Sequence, residues 1–162
     1  MSLHERLAEA RRALVEAGVD PDEAAIDAEV LARHVLGWDR ARLLTHLREA
    51  EPQGLNPGFQ QLLARRVHRE PMAYIVGSRE FWGREFEVTP AVLVPRPETE
   101  FIVEEVLDEV RSGRGAGTIV DVGTGSGCLA VTLALECPQA RLWATDISPG
   151  ALAVASLRKK KW

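Results

Sequence analysis

Three glycines at alternate positions, Gly123, Gly125 and Gly127, lie in the run Asp121-Val122-Gly123-Thr124-Gly125-Ser126-Gly127, directly after the apolar stretch Thr118-Ile119-Val120. The chemistry this allows is the binding of a nucleoside. Without side chains at Gly123 and Gly125 a ligand can lie against bare main chain, and glycine accepts the positive φ values of a tight turn at no steric cost. Amide N–H groups at the start of the next helix are then placed to face the ligand. The spacing is DxGxGxG; in the GxGxxG pattern of dinucleotide binders the third glycine would fall at residue 128, which is Cys128. That difference points to S-adenosylmethionine more than to NAD. Asp146 ends the next apolar stretch, Leu142 to Thr145, where a carboxylate can accept hydrogen bonds from both ribose hydroxyls of either cofactor. A glycine turn alone is a weak signal, but a strand before it, a helix after it and an acid downstream favour a nucleoside site over an ordinary turn.

The elements that must hold this turn are legible on both sides. Thr118 to Val122 reads as a buried strand, and the segment after Gly127 as a helix. Upstream, Val92-Leu93-Val94-Pro95-Arg96-Pro97-Glu98-Thr99-Glu100 stops extended structure with two prolines and opens a helix with an acidic first turn, favourable to its dipole. Ile102, Val103, Val106, Leu107 and Val110 continue that helix at core-facing spacing, and Ser112 to Gly117 is the loop into the strand. Between Ala73 and Val94 the pattern predicts β structure: Tyr74-Ile75-Val76 and Phe81-Trp82, then Gly83-Arg84, then Phe86 and Val88 in alternation, a hairpin.

The first seventy or so residues predict short amphipathic helices with clear stops. Ser2 and Glu5 form a capping box for a helix ending near Gly18, and Asp20 caps a second with Pro21 at its first position, running to Gly37. Asp39 opens a third, with Leu43, Leu44 and Leu47 on one side. Asn56, read as a cap, and Pro57 open a fourth, carrying Phe59, Leu62, Leu63 and Val67 up to Pro71. Such stripes bury only against each other, so a small bundle follows. His4, His34, His46 and His68 lie on different helices and read as structural or solvent-facing. The cluster Arg65, Arg66, His68, Arg69 reads as a solvated face, with a partner contact as the alternative.

Composition narrows the class. The chain has 162 residues, 46% hydrophobic and 27% charged, with a formal net charge of −4, which disfavours general attraction to nucleic acid. No stretch approaches the ~18 apolar residues of a membrane span, and Met1 to Arg6 lacks the apolar core of a signal peptide. Cys128 and Cys137 form no CxxC pair, which suits a reducing cytoplasm and small buried helix positions.

Three segments in this order behind a helical bundle carry a resemblance: Glu80-Phe81-Trp82-Gly83, the PRPETE within Val92 to Glu100, and DVGTGSG. Together they resemble the glutamine-N5 methyltransferases of peptide-chain release factors, the HemK or PrmC family, over nearly the whole chain. PRPETE is the most specific part; the related ribosomal-protein enzymes do not read PETE after Pro-Arg. The resemblance implies an α/β protein with an N-terminal helical bundle over 1–71, a β-hairpin connector over 72–95, and over 96–162 the first part of a class I, Rossmann-like methyltransferase domain. It implies S-adenosylmethionine as cofactor, contacted by Gly123, Thr124, Gly125, Ser126 and Gly127, with Asp146 on its ribose hydroxyls and PRPETE beside the active site. The implied partners are release factors, methylated on the side-chain amide of the GGQ-motif glutamine and held partly by the bundle, in the cytoplasm, with no direct nucleic acid and no membrane.

The same family implies an NPPY motif after the fourth strand to orient the glutamine amide. This chain has one asparagine, Asn56, and one tyrosine, Tyr74, in no such sequence, so no catalytic residue is assigned. After Thr118 there is room for two strands and two helices, short of a doubly wound domain of roughly 100–200 residues. The tail Arg158-Lys159-Lys160-Lys161-Trp162 also departs from the family's last helix. The expectation is of an N-terminal part that does not transfer methyl groups alone, its strand at Thr118 to Val122 left with an exposed apolar edge. Two alternatives stand beside it: a non-catalytic module that docks a partner through the bundle, and a fragment of an NAD-binding oxidoreductase, which Cys128 argues against. Nucleic-acid adenine methyltransferases are disfavoured by the bundle, by PRPETE and by the acidic charge.

Overall fold

The computed structural model describes residues 1–113 and 117–157. The middle of the loop at Ser112 to Gly117 and the basic tail after Leu157 lie outside them. The chain divides after Val76 into two compact units.

The first unit is helical: α1 (Leu3–Glu16), α2 (Pro21–Leu36), α3 (Arg40–Thr45), α4 (Leu55–Val67) and α5 (Met72–Val76). In α1, Leu3, Leu7, Ala10 and Leu14 fall on one stripe and are buried. Both halves of the predicted capping box form, Ser2 Oγ accepting from Glu5 N–H and Glu5 Oε2 from Ser2 N–H. Asp20 caps α2 with Pro21 at its first position, and Gly37 closes it in the left-handed region at φ +63°. The core gathers Leu3, Leu14, Leu31, Leu43, Leu55 and Phe59, all fully buried.

Four expectations change here. Leu44 is exposed while Leu43 is buried, because α3 is only six residues long and buries a single position. Asn56 is not the cap of α4; Gly54 takes that place at φ +90°, and Asn56 is exposed inside the first turn. Tyr74-Ile75-Val76 is helical, since Pro71 C=O accepts from the Tyr74 and Ile75 N–H groups and starts a turn of helix that buries Ala73 and Ile75. Arg66, expected on a solvated face, is buried between α4 and α2, its Nε 2.7 Å from Asp27 Oδ2 and its Nη2 2.6 Å from Glu23 Oε1. Burial drives the Asp27 carboxyl above its ordinary value, with Arg66 opposing the shift.

The second unit opens with the antiparallel hairpin β1 (Ser78–Phe81) and β2 (Arg84–Glu87). Its two turn residues, Trp82 at φ +53° and Gly83 at φ +67°, match a type I′ turn, whose twist suits a tight hairpin. A 3-10 turn at Pro97–Thr99 leads into α6 (Glu100–Arg111), followed by β3 (Thr118–Val122), α7 (Cys128–Glu136), β4 (Arg141–Thr145) and α8 (Pro149–Ser156). β3 and β4 are parallel, Ile119 opposite Leu142 and Val120 opposite Trp143, so α7 is the crossover of a β–α–β unit. Ile119 and Leu142 pack into a core of Phe81, Phe86, Val103, Leu107 and Leu133, while Ile102, expected on the core side of α6, is exposed. Cys128 and Cys137 are buried in the same core, at the first position of α7 and at its C-cap. The opposite face of the sheet is open: Val120, Val122 and Trp143 are 55%, 82% and 58% exposed.

Candidate functional site

The turn from β3 into α7 is held by its own main chain. Thr145 C=O, at the end of β4, accepts from Gly123 N–H at 2.8 Å and from Thr124 N–H at 2.9 Å. Thr124 C=O accepts from Gly127 N–H at 2.8 Å, and Thr124 Oγ1 donates to Asp121 Oδ2 at 2.7 Å. Strand β4 therefore sets the position of the loop as much as β3 does.

The glycines divide by role. Gly123 (φ +81°) and Gly125 (φ +54°) are in the left-handed region, and a Cβ on either would meet no side chain within 4 Å, so these corners face open space. Gly127 (φ +78°) is closed in: a Cβ there would come 3.2 Å from the Ala155 Cβ on α8. Gly127 thus lets a helix pack against the turn, while Gly123 and Gly125 leave main chain bare. The Thr124 and Ser126 side chains point inward and are buried, so a ligand could meet these residues only through their main chain. No side chain caps α7, so donors at its start are left to a ligand or to water.

Asp146 sits at the tip of β4 with its carboxylate fixed by two backbone donors. Oδ2 accepts from Gly125 N–H at 2.9 Å and Oδ1 from Ser148 N–H at 2.9 Å. These bonds, Ser148's first, hold its carboxyl below the ordinary aspartate value, so it is an anion at neutral pH. A carboxylate offers about four acceptor positions, and two are used. All six residues singled out in the sequence thus belong to one corner, with Gly125 and Asp146 directly bonded.

Sequence reasoning missed Ile147, which follows Asp146 and is fully exposed.

A parallel β–α–β unit with a bare glycine corner and an acid at the tip of the second strand defines the opening of a Rossmann-like methyltransferase fold. Residues 98–161 match the family model described as the methyltransferase small domain, and residues 5–77 the one described as the PrmC N-terminal domain. The chain is 49% identical over 136 residues to the release factor glutamine methyltransferase of Bordetella pertussis, covering 84% of this chain and 50% of that protein. The proteins of the same name from Cereibacter sphaeroides and Moorella thermoacetica are 48% and 42% identical, over 93% and 99% of this chain and 53% and 56% of theirs. The chain belongs to the PrmC (HemK) family, and it spans about half the length of the curated relatives it matches.

Proposed function

We propose that this chain holds the adenosine end of S-adenosylmethionine for methyl transfer to the side-chain amide of a glutamine in peptide-chain release factors. The observation that carries the reading is the open main chain at Gly123 and Gly125 beside the fixed Asp146 carboxylate. A Cβ would fill the open main chain, and Asp146 supplies the carboxylate from the tip of β4. Asp146 uses its two remaining acceptor positions for the ribose hydroxyls, and Ile147 gives an apolar surface to the purine. The start of α7 directs backbone donors toward the ligand. Thr124 and Ser126 shape the loop from within.

S-adenosylmethionine, when bound, supplies an electrophilic methyl group on a sulfonium sulfur. A carboxamide nitrogen is a weak nucleophile because its lone pair is delocalised into the carbonyl, so the reaction depends on holding nitrogen and methyl in line. This reading assigns no residue as acceptor for the amide protons; the contribution of this chain is to bind and to position. The relatives' name, release factor glutamine methyltransferase, supports release factors as the partners, and this reading places the chain with them in the cytoplasm. Among the described residues no helix is long and apolar enough to cross a membrane.

Titration of the ¹⁵N-labelled full chain with S-adenosylhomocysteine, and separately with NADH, tests the cofactor. Shifts of the Gly123, Gly125 and Ile147 amides with S-adenosylhomocysteine and not with NADH are expected. A preference for NADH, or no change with either at millimolar concentration, would end the reading.

A further inference from the structure

The hairpin of the second unit has a strand edge that no strand pairs among the described residues of that unit. β1 pairs only with β2, in the register Ser78 with Glu87, Arg79 with Phe86, Glu80 with Glu85 and Phe81 with Arg84. In an antiparallel ladder hydrogen-bonded and non-hydrogen-bonded pairs alternate. A two-residue turn makes Phe81 and Arg84 the first bonded pair, and Val88 N–H on Gly77 C=O at 3.0 Å continues the series. The main-chain groups of Ser78, Glu80 and Trp82 therefore point away from β2. At Trp82 this outward N–H is already taken: Glu100 Oε1 accepts it at 2.8 Å. Glu100 stands where the carbonyl of a neighbouring strand would stand, and it is the only acceptor of that kind on this edge among the described residues. Next to it is a cleft of about 320 Å³ lined by Arg79, Glu80, Phe81, Arg96, Pro97 and Glu100.

The hairpin face exposed to solvent is acidic. Glu80, Glu85 and Glu87 lie on it, Glu80 directly opposite Glu85, and among the described residues none has an ion pair. Like charges directly opposite destabilise a hairpin, and a cation placed between them relieves this. A strand added to an edge presents every second side chain to each face.

We propose that the free edge of β1 binds an extended segment of a partner protein as a third strand, with lysine or arginine at alternate positions over Glu80, Glu85 and Glu87. The cleft bounded by Arg96 and Pro97 takes the other face of that segment, and Glu100 marks its end at the turn. This goes beyond the cofactor reading and needs no cofactor, so a failure here leaves the S-adenosylhomocysteine titration standing and the reverse also holds.

The test uses the ¹⁵N-labelled full chain and two capped heptapeptides, one alternating threonine with lysine and one alternating threonine with glutamate. Expected are shifts and slowed exchange at the Ser78 and Glu80 amides with the lysine peptide alone. Glu80→Pro removes an N–H that β2 does not use and should weaken binding at least tenfold, with the Phe81–Phe86 ring contact checking that the hairpin persists. Glu85→Gln with Glu87→Gln leaves the backbone untouched and should weaken binding several-fold. Edge amides that ignore the lysine peptide, equal binding of both peptides, or full affinity in the glutamine double variant would overturn the proposal.

Discussion

The carboxylate of Asp146 accepts the backbone N–H of Gly125 at 2.9 Å, joining the tip of one strand to the turn that leaves its neighbour. Two backbone donors stabilise the charged form, so its pKa lies below the ordinary 3.8. The sign follows: the contribution of this group is present above the unfolded-state value and is lost as pH falls through the lower folded-state value. Amide shifts at Gly125 and Ser148 should stay constant from neutral pH down to the ordinary aspartate range and move only in stronger acid. A midpoint for Gly125 near pH 6 would contradict this.

Replacing that carboxylate separates its two duties. Asp146→Asn keeps one acceptor oxygen for either Gly125 or Ser148 and loses the charge, so the fold should persist while S-adenosylhomocysteine binding drops about tenfold or more. Calorimetry or amide titration measures the affinity, and circular dichroism checks the fold.

Gly127→Ala and Gly123→Ala should fail differently. At Gly127 the positive φ and the 3.2 Å approach to Ala155 add, giving a stability loss of about 2–4 kcal/mol by urea unfolding. At Gly123 only the backbone cost of about 1–2 kcal/mol applies, and the main effect should be on ligand binding. Equal stability losses would show that α8 does not press on the turn.

Within the bundle, Asp27→Ala should destabilise by about 1.5–3 kcal/mol, because it removes the buried acceptor 2.7 Å from Arg66 Nε and leaves the guanidinium with only the exposed Glu23 carboxylate as its ionic partner. Glu23→Ala removes an exposed partner of the same arginine and should cost about 1 kcal/mol or less. Chemical denaturation of the two variants gives the comparison directly.

The open face of the β3–β4 sheet should make the chain self-associate. Val122→Thr keeps a β-branched residue while reducing apolar surface at the most exposed of these positions. Light scattering at rising concentration should show less association for this variant than for the unsubstituted chain.

Much of this was legible in the residues, and unevenly so. Caps at Ser2 and Asp20 act through bonds two or three residues long, so local sequence determines them, and the same holds for the positive-φ glycines of the turn. The helix at Met72–Val76 was misread because Tyr, Ile and Val suit a strand, whereas Pro71 and the core around Ile75 decided the outcome. Arg66 was misread because its partner Asp27 lies 39 residues away, and no pattern within one helix reveals a pair that exists only after two helices pack. In the site, the open corners at Gly123 and Gly125 were foreseeable from residue type, but the separate duty of Gly127 depends on Ala155, which no local spacing connects to it.

That contact reaches into the history of the sequence. Residue 127 cannot gain a side chain without α8 giving way at Ala155, and a larger residue at 155 would narrow the same gap further. Among related chains the two sites should drift as a pair, each holding the other small, so that a bulky residue at 155 would signal a lineage in which this corner has been rebuilt.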